Sequence, residues 1–397
     1  MKDILIASFD MEVGGVERSL ISMLNAFDYS KYNVNLQLYS HTGQFMELIN
    51  ENVNLLIEDE YYKTMRQSIK DIFRSRKYNI GISRLVARIK AKYVGKTKKI
   101  YDSGYIQMQY IWKFTNKFLP KSKKEYDVAI SYLWPHDNIA YNVKSKIKIA
   151  WIHTDYSTIV VDGSIDLKIW DMYDYIISVS EECKKSFLSV YPELEKKVTV
   201  IENIASPDFV RSMSNEYVDD KFDSDKFNIV SVGRLCDAKG FDNAIKALRI
   251  LHDRGFNNIK WYIVGYGGEE ELLKSLIKEN SLEDSFILLG KKTNPYPYIK
   301  VCDLYVQPSR YEGKAVTVTE AQILGKPVMI TNYATAKSQV NNGYDGYITE
   351  LSVEGIANGI EMLYKNEKIR SELSKNCNIS NYNNSYELNK LYEIMKD

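Results

Sequence analysis

The chain has 397 residues, 26% charged and 45% hydrophobic, which is the make-up of a soluble globular protein with two or three domains. No stretch reaches the roughly 18 apolar residues of a membrane-spanning helix, and residues 1–7 enter a short strand without the apolar run of a signal peptide. Cys183, Cys236, Cys302 and Cys377 are scattered with no Cys-x-x-Cys pair, which points away from a disulfide framework or zinc site and towards a reduced, cytoplasmic setting.

Short apolar runs alternate with helical patterns, the order of an α/β protein with parallel sheets. In the first half, strands are predicted at 4–9, 34–39, 128–132, 147–152, 175–179 and 198–201. The first strand leads into Val13-Gly14-Gly15-Val16-Glu17-Arg18 and a helix. Gly14 and Gly15 permit close backbone approach and positive φ, and the helix N-terminus points at whatever sits there. This is not the Gly-x-Gly-x-x-Gly fingerprint, and an ordinary tight turn reads the same way. Residues 61–124 hold 18 Lys and Arg against Asp71 and Asp102, a net of +16, so the remainder of a chain of net +1 carries −15. Tyr61, Tyr78, Tyr93, Tyr101, Trp112 and other aromatics are interleaved. Such a segment is a solvated helical face, a nucleic-acid surface or a membrane face. No nucleic-acid reading motif accompanies it, whereas Lys and Arg near anionic lipid, with Tyr and Trp as interfacial anchors, favour the membrane. His153 follows the strand at 147–152, and His136, in Trp134-Pro135-His136-Asp137, follows the strand before it. A lone His after a strand serves structure as readily as function.

An acidic, polar stretch at 206–226, with Asp219, Asp220, Asp223 and Asp225, leads into the second half. Strands are predicted there at 227–232, 260–264, 286–289, 304–306 and 327–330. Asp223-Ser224-Asp225 imitates a metal-binding Asp-x-Asp but lies in a linker rather than after an apolar strand, so no metal site is expected. Gly233-Arg234-Leu235-Cys236-Asp237-Ala238-Lys239-Gly240 follows the first of these strands. Arg234 can fork onto phosphate oxygens, and Lys239 supplies a mobile point charge. Gly265 and then Lys291 and Lys292 follow the next two strands, at the carboxyl edge where open α/β sheets take ligands. The tail ends in an amphipathic helix over 387–395, and there is no repeat at solenoid spacing.

Residues 304–330 are the most informative. The strand stops at Pro308, a polar loop carries Glu312 and Gly313, and a helix runs to Gly325 as its C′ residue before Pro327 opens the next strand. The amides of Gly313, Lys314, Ala315 and Val316 then point out of a helix N-terminus, an anion site. Glu312 and Glu320 are separated by seven residues, one in the loop and one in the helix. Such a loop suits a nucleotide sugar: amides on the diphosphate, one carboxylate on sugar hydroxyls, the other on ribose hydroxyls.

Pro308, Ser309, Glu312, Gly313, Glu320 and Ala321 match the Glu-x7-Glu signature of the retaining glycosyltransferases of family 4, and the chain resembles that family over nearly its whole length. Lys314-Ala315 stands where many members have Phe-Gly. The resemblance implies the GT-B fold: α/β, two facing doubly wound Rossmann-like domains with an inter-domain cleft. The acceptor-side domain is then 1–205, with the basic segment 61–124; the nucleotide-sugar domain is 206–375; and 376–397 is a helix crossing back to the first. Gly14 and Gly15 are implied to touch donor phosphate and acceptor. Gly233, Arg234 and Lys239 are implied to hold the departing diphosphate, and Gly265, Lys291 and Lys292 the nucleotide. Glu312 then positions the transferred sugar and Glu320 the ribose. His153 orients the sugar or stabilises an oxocarbenium-like state, with His136 as its rival, and Asp155 lies one residue beyond the place where relatives have Asp. Glu202-Asn203-Ile204 stands where members show Pro-Asn-Gly. The implied reaction is retaining, metal-independent and cofactor-free transfer of a hexose from a nucleotide-diphosphate sugar, UDP-sugar foremost. The basic, aromatic segment 61–124, placed in the acceptor-side domain, points to a cell-envelope or lipid-linked glycan as acceptor, as in capsule or teichoic acid synthesis, at the inner face of the plasma membrane, with no nucleic-acid partner. The alternatives are a protein or soluble acceptor, a GT-B epimerase or phosphorylase, and a non-catalytic GT-B-like partner subunit.

Overall fold

A computed structural model describes residues 1–97, 104–217, 222–223 and 225–396. Asp219, Asp220 and Ser224 of the acidic stretch, and Tyr101 and Asp102 of the basic one, lie outside the described residues. The chain divides into two compact units: Met1–Glu12, Met23–Glu202 and Tyr386–Asp397 form one, and Val13–Ser22 with Asn203–Ser385 form the other.

The first unit is built on seven parallel strands: β1 (Lys2–Ser8), β2 (Tyr32–Leu38), β3 (Asn54–Leu55), β4 (Glu125–Ser131), β5 (Lys144–Ile152), β6 (Tyr175–Ser178) and β7 (Val198–Val200). Their order is β3-β2-β1-β4-β5-β6-β7. Ile4, Leu5, Ile6 and Ala7 are all buried, so β1 loses the alternation of a half-exposed strand, as expected where a parallel sheet is covered on both faces. The helices Tyr78–Thr97 and Gly104–Thr115 lie against each other in this unit. Trp112, grouped by the sequence with interfacial aromatics, is instead fully buried, its ring 5.5 Å from Tyr39 and 6.4 Å from Phe9. A bulky ring at the inward face of a helix removes more apolar surface from water there than at its rim. The last helix, Glu387–Ile394, belongs to this unit: Tyr392 stacks on Tyr32 at 5.0 Å and meets Phe27 edge-on at 5.7 Å.

The second unit has six parallel strands, β8 (Phe227–Val232), β9 (Ile259–Val264), β10 (Phe286–Gly290), β11 (Leu304–Gln307), β12 (Val328–Thr331) and β13 (Tyr347–Thr349), in the order β10-β9-β8-β11-β12-β13. One face sets Trp261 and Phe286 against Phe241 and Leu248, and the other sets Tyr305 against Tyr296, Val318 and Tyr333. Strand order reverses between β8 and β11. The loops leaving the carboxyl ends of those two strands therefore part, opening a crevice at the switch point of the sheet.

Candidate active site

Two loops of the second unit meet at that switch point. Lys239, in the loop after β8, donates from Nζ to Glu312 Oε1, in the loop after β11, at 2.5 Å. Ser309 Oγ donates to the same oxygen at 2.6 Å, and Gln307 Nε2 approaches it at 3.3 Å. Gln307 is itself oriented by the Tyr305 hydroxyl at 2.8 Å. All three donors converge on Oε1, so Oε2 has no donor among the described residues and remains available to a ligand hydroxyl. The Glu312 carbonyl accepts from Thr335 Oγ1 at 3.1 Å, which fixes the loop as well as the side chain.

The loops are held together by backbone contact. Arg310 forks onto Asp242 at 2.8 and 2.7 Å, and its amide donates to the Ala238 carbonyl at 2.8 Å. Gly240 sits at φ +64°, where a Cβ would lie 2.2 Å from the Pro308 carbonyl oxygen. At Gly265 a Cβ would lie 1.8 Å from the Gly233 carbonyl oxygen, so this glycine is demanded by backbone packing between the loops after β8 and β9.

Glu320 lies in the helix Val316–Ile323 and is only 3% exposed. Arg18 Nη1 reaches its two oxygens at 3.2 and 3.3 Å, and the Tyr296 hydroxyl donates to Oε1 at 2.7 Å. The Arg18 guanidinium also lies 5.1 Å from the centre of the Tyr296 ring. Burial works against the Arg18 charge, but Glu320 and Tyr296 outweigh it and raise its pKa further. Burial beside Glu320 likewise keeps the Tyr296 phenol protonated. The start of this helix is fastened by Gln339, whose side chain donates to the Ala315 carbonyl and accepts from the Ala315 amide at 3.2 Å. Ala315 N–H is thereby engaged, whereas the amides of Val316 and Thr317, the first of the helix, have no acceptor among the described residues.

The other expected donor residues surround this core. Arg234 is exposed and has no ion pair among the described residues. Lys291 lies 5.0 Å from the Tyr266 ring and Lys292 5.5 Å from that of Tyr298. The Tyr266 hydroxyl donates to the Val13 carbonyl at 3.4 Å. Val13 precedes Gly14 and Gly15; no atom lies within 4 Å of a Cβ built on Gly15, so space is open there. Gly313 and Lys314 lie between Glu312 and the helix. Asp223 pairs with Lys260 at 3.2 Å. Among the described residues no three His, Cys, Asp or Glu side chains gather as ligands for a metal ion.

In the first unit, His153 follows β5, its ring 4.8 Å from that of Tyr132. Burial drives its pKa down to about 3, so the imidazole is neutral near pH 7, and its Nε2 is buried without a partner among the described residues. His136 is likewise pushed to about 3 by burial, with a smaller push from His153. It is bonded to Ser131 Oγ at 2.8 Å and enclosed by Trp170 and Tyr173. Asp155 caps its own turn, accepting from Ser157 and Ser186.

Arg18, Tyr296, Ser309, Gln307 and Gln339 went unassigned in the sequence. Arg18 stands in the glycine motif itself, but its partner is 302 residues away; only the order Gly-Gly-x-Glu-Arg hinted at it.

Residues 214–378 match the family described as Glycosyl transferases group 1. An uncharacterized glycosyltransferase of Methanocaldococcus jannaschii is 29% identical over 170 residues, 42% of each chain. The capsular polysaccharide biosynthesis glycosyltransferase CapM of Staphylococcus aureus is 28% identical over 219 residues, 51% of this chain and 55% of CapM. The chain spans about half the length of the curated relatives it matches. Among solved structures, Anabaena HepE in complex with UDP aligns over 100% of both chains with a TM-score of 0.67 at 14% identity, a likeness of fold.

Proposed function

We propose, on the premise that this chain belongs to the group 1 glycosyl transferases through residues 214–378, that it moves a hexose from a UDP-sugar to a lipid-linked or cell-envelope glycan at an anionic membrane surface, with retention. The observation that carries this reading is the Lys239–Glu312 pair at the switch point. A diphosphate arriving beside Arg234 and the amides of Val316 and Thr317 draws Lys239 from Glu312 towards its own oxygens. The carboxylate so released binds sugar hydroxyls. As the bond between the anomeric carbon and the phosphate oxygen breaks, Arg234 and Lys239 offset the charge developing on the diphosphate, and no divalent ion takes part. The acceptor oxygen bonds the anomeric carbon on the same face, and its proton passes to the departing phosphate oxygen. His153, neutral and with a free ring nitrogen, orients the sugar rather than supplying charge. The donor and acceptor classes are supported by HepE's complex with UDP and by the role of CapM in capsule synthesis.

Titration calorimetry with UDP, GDP and ADP tests the donor site, with UDP expected to bind most tightly. Absence of binding to all three sinks the proposal. Labelled donor sugars incubated with membrane extract, analysed by mass spectrometry, then separate transfer from epimerisation and phosphorolysis by product. One observation favours a non-catalytic partner subunit instead: the Glu320 carboxylate, assigned to the ribose, is occupied by Arg18 and Tyr296. Turnover of any donor by the purified chain decides against that reading.

A further inference from the structure

We propose that the outward face of the helix Tyr78–Thr97 docks on an anionic lipid surface. At about 100° per residue, Ile80, Ala87, Ala91 and Val94 fall on one side of this helix, and all four are buried. Tyr78, Ile82, Leu85, Val86, Ile89 and Tyr93 fall on the opposite side and are between 40% and 69% exposed. Single exposed apolar residues are ordinary, but six in one stripe along one helix are not. The helix is therefore apolar on two opposed faces, one spent on the core and one left to the outside.

The charges around the stripe select the partner. The helix contains no Asp or Glu. Arg84 is turned inward, donating to the carbonyls of Thr64 and Gln67 at 2.6 Å each. Arg88 and Lys92 border the stripe on one side, Lys90 borders it on the other and Lys96 stands at its C-terminal end; all four are exposed and none has an ion pair among the described residues; Lys90 lies 5.7 Å from the Tyr93 ring. The nearby acids Asp71 and Glu60 are already engaged by Arg74 and Lys77. An apolar stripe bordered by unpaired cations is the pattern of a helix lying in a membrane interface, its aliphatic side chains below the headgroups and its cations among the phosphates. A second copy of the chain would bring cations against cations, and a nucleic acid would leave the aliphatic stripe unused. The inference rests on the proposed membrane-presented acceptor for its purpose only, and vesicle binding and nucleotide binding fail separately.

Sedimentation of the full chain with vesicles of phosphatidylglycerol and phosphatidylcholine, against phosphatidylcholine alone, tests it. Binding to the anionic vesicles is expected at low salt and should weaken as salt screens the cations. The variant Arg88→Glu/Lys92→Glu/Lys96→Glu should lose on the order of a hundredfold in partitioning, at about fivefold or more per cation. Ile82→Ser/Ile89→Ser should lose about tenfold or more even at low salt, with melting temperature and UDP affinity unchanged, since both side chains are exposed. Wild-type protein that ignores anionic vesicles at low salt overturns the inference, as does an Ile82→Ser/Ile89→Ser variant that binds like wild type. So does a dimer, seen by sedimentation equilibrium, that the same variant dissolves, because the stripe then belongs to a second copy.

Discussion

At Glu320 a carboxylate taken out of water is matched by one counter-charge, Arg18, and one hydroxyl, Tyr296. Removing a single partner leaves the other charge buried and uncompensated. Arg18→Met should therefore cost about 3–5 kcal/mol in urea unfolding, and Tyr296→Phe about 1.5–3 kcal/mol. Arg18→Met combined with Glu320→Gln should recover much of the first loss, because the stranded charge is gone. An Arg18→Met protein as stable as wild type would mean that solvent reaches Glu320 in solution. Around Glu312 the side chains are partly open, and the expected loss there is kinetic. Lys239→Ala, Glu312→Gln and Arg234→Ala should each lower turnover by roughly 100- to 1,000-fold, the usual cost of one electrostatic contact to a developing charge. Wild-type turnover in Arg234→Ala or Glu312→Gln would remove those residues from the proposed step.

The loops after β8, β9 and β11 act together because glycines let their backbones touch. Gly240→Ala adds a Cβ against the Pro308 carbonyl at a left-handed φ. It should destabilise the second unit by more than about 1 kcal/mol and weaken UDP binding with it, since the same loops carry Lys239 and Glu312. A melt and a calorimetric titration on one sample check both effects, and a variant that loses affinity without losing stability would show that Gly240 acts on the ligand alone. Strands were legible in the sequence where apolar residues run together, as at Ile4–Leu5–Ile6–Ala7 or Phe286–Ile287–Leu288–Leu289. The two-residue β3 and three-residue β13 were not, because Asn54-Leu55 and Tyr347-Ile348-Thr349 carry no apolar run, whereas the equally short β7 is continued by Ile201. Glu312, Lys239 and Gly325, whose φ is +67°, could be read from local pattern; Arg18 with Glu320 could not, since the chain gives no local trace of a contact made by folding alone. The stripe of Tyr78–Thr97 was hidden for another reason. A helix apolar on two faces resembles one without a preferred face, and its lysines drew attention to charge in place of shape.

The first unit is completed by the end of the chain. Tyr392 packs on Phe27 and Tyr32, and its hydroxyl accepts from the Asp28 amide at 2.9 Å, so the last helix covers those two rings. The same unit carries a titratable interior. His136 and His153 are held by burial at about 3, against 6.5 when unfolded. Below 6.5 the unfolded chain takes up protons that the folded unit refuses, so each histidine favours unfolding progressively as pH falls from about 6.5 towards 3. Asp137, raised by burial to about 7, and Asp166, also raised by burial, work in the opposite sense, because the folded unit keeps protons that the unfolded chain has released. The acid limb of the wild type is therefore a sum of opposed groups, and the histidine contribution appears only as a difference. His136→Gln should gain stability relative to wild type by about 1.4 kcal/mol for each pH unit below 6.5. Above that pH the difference should be constant, set by the lost bond to Ser131. Urea unfolding of both proteins from pH 7.5 to 4.5 measures it. A difference that stays flat with pH would mean that His136 takes up its proton in the folded unit as readily as in the unfolded chain, so that the enclosure by Trp170 and Tyr173 admits water.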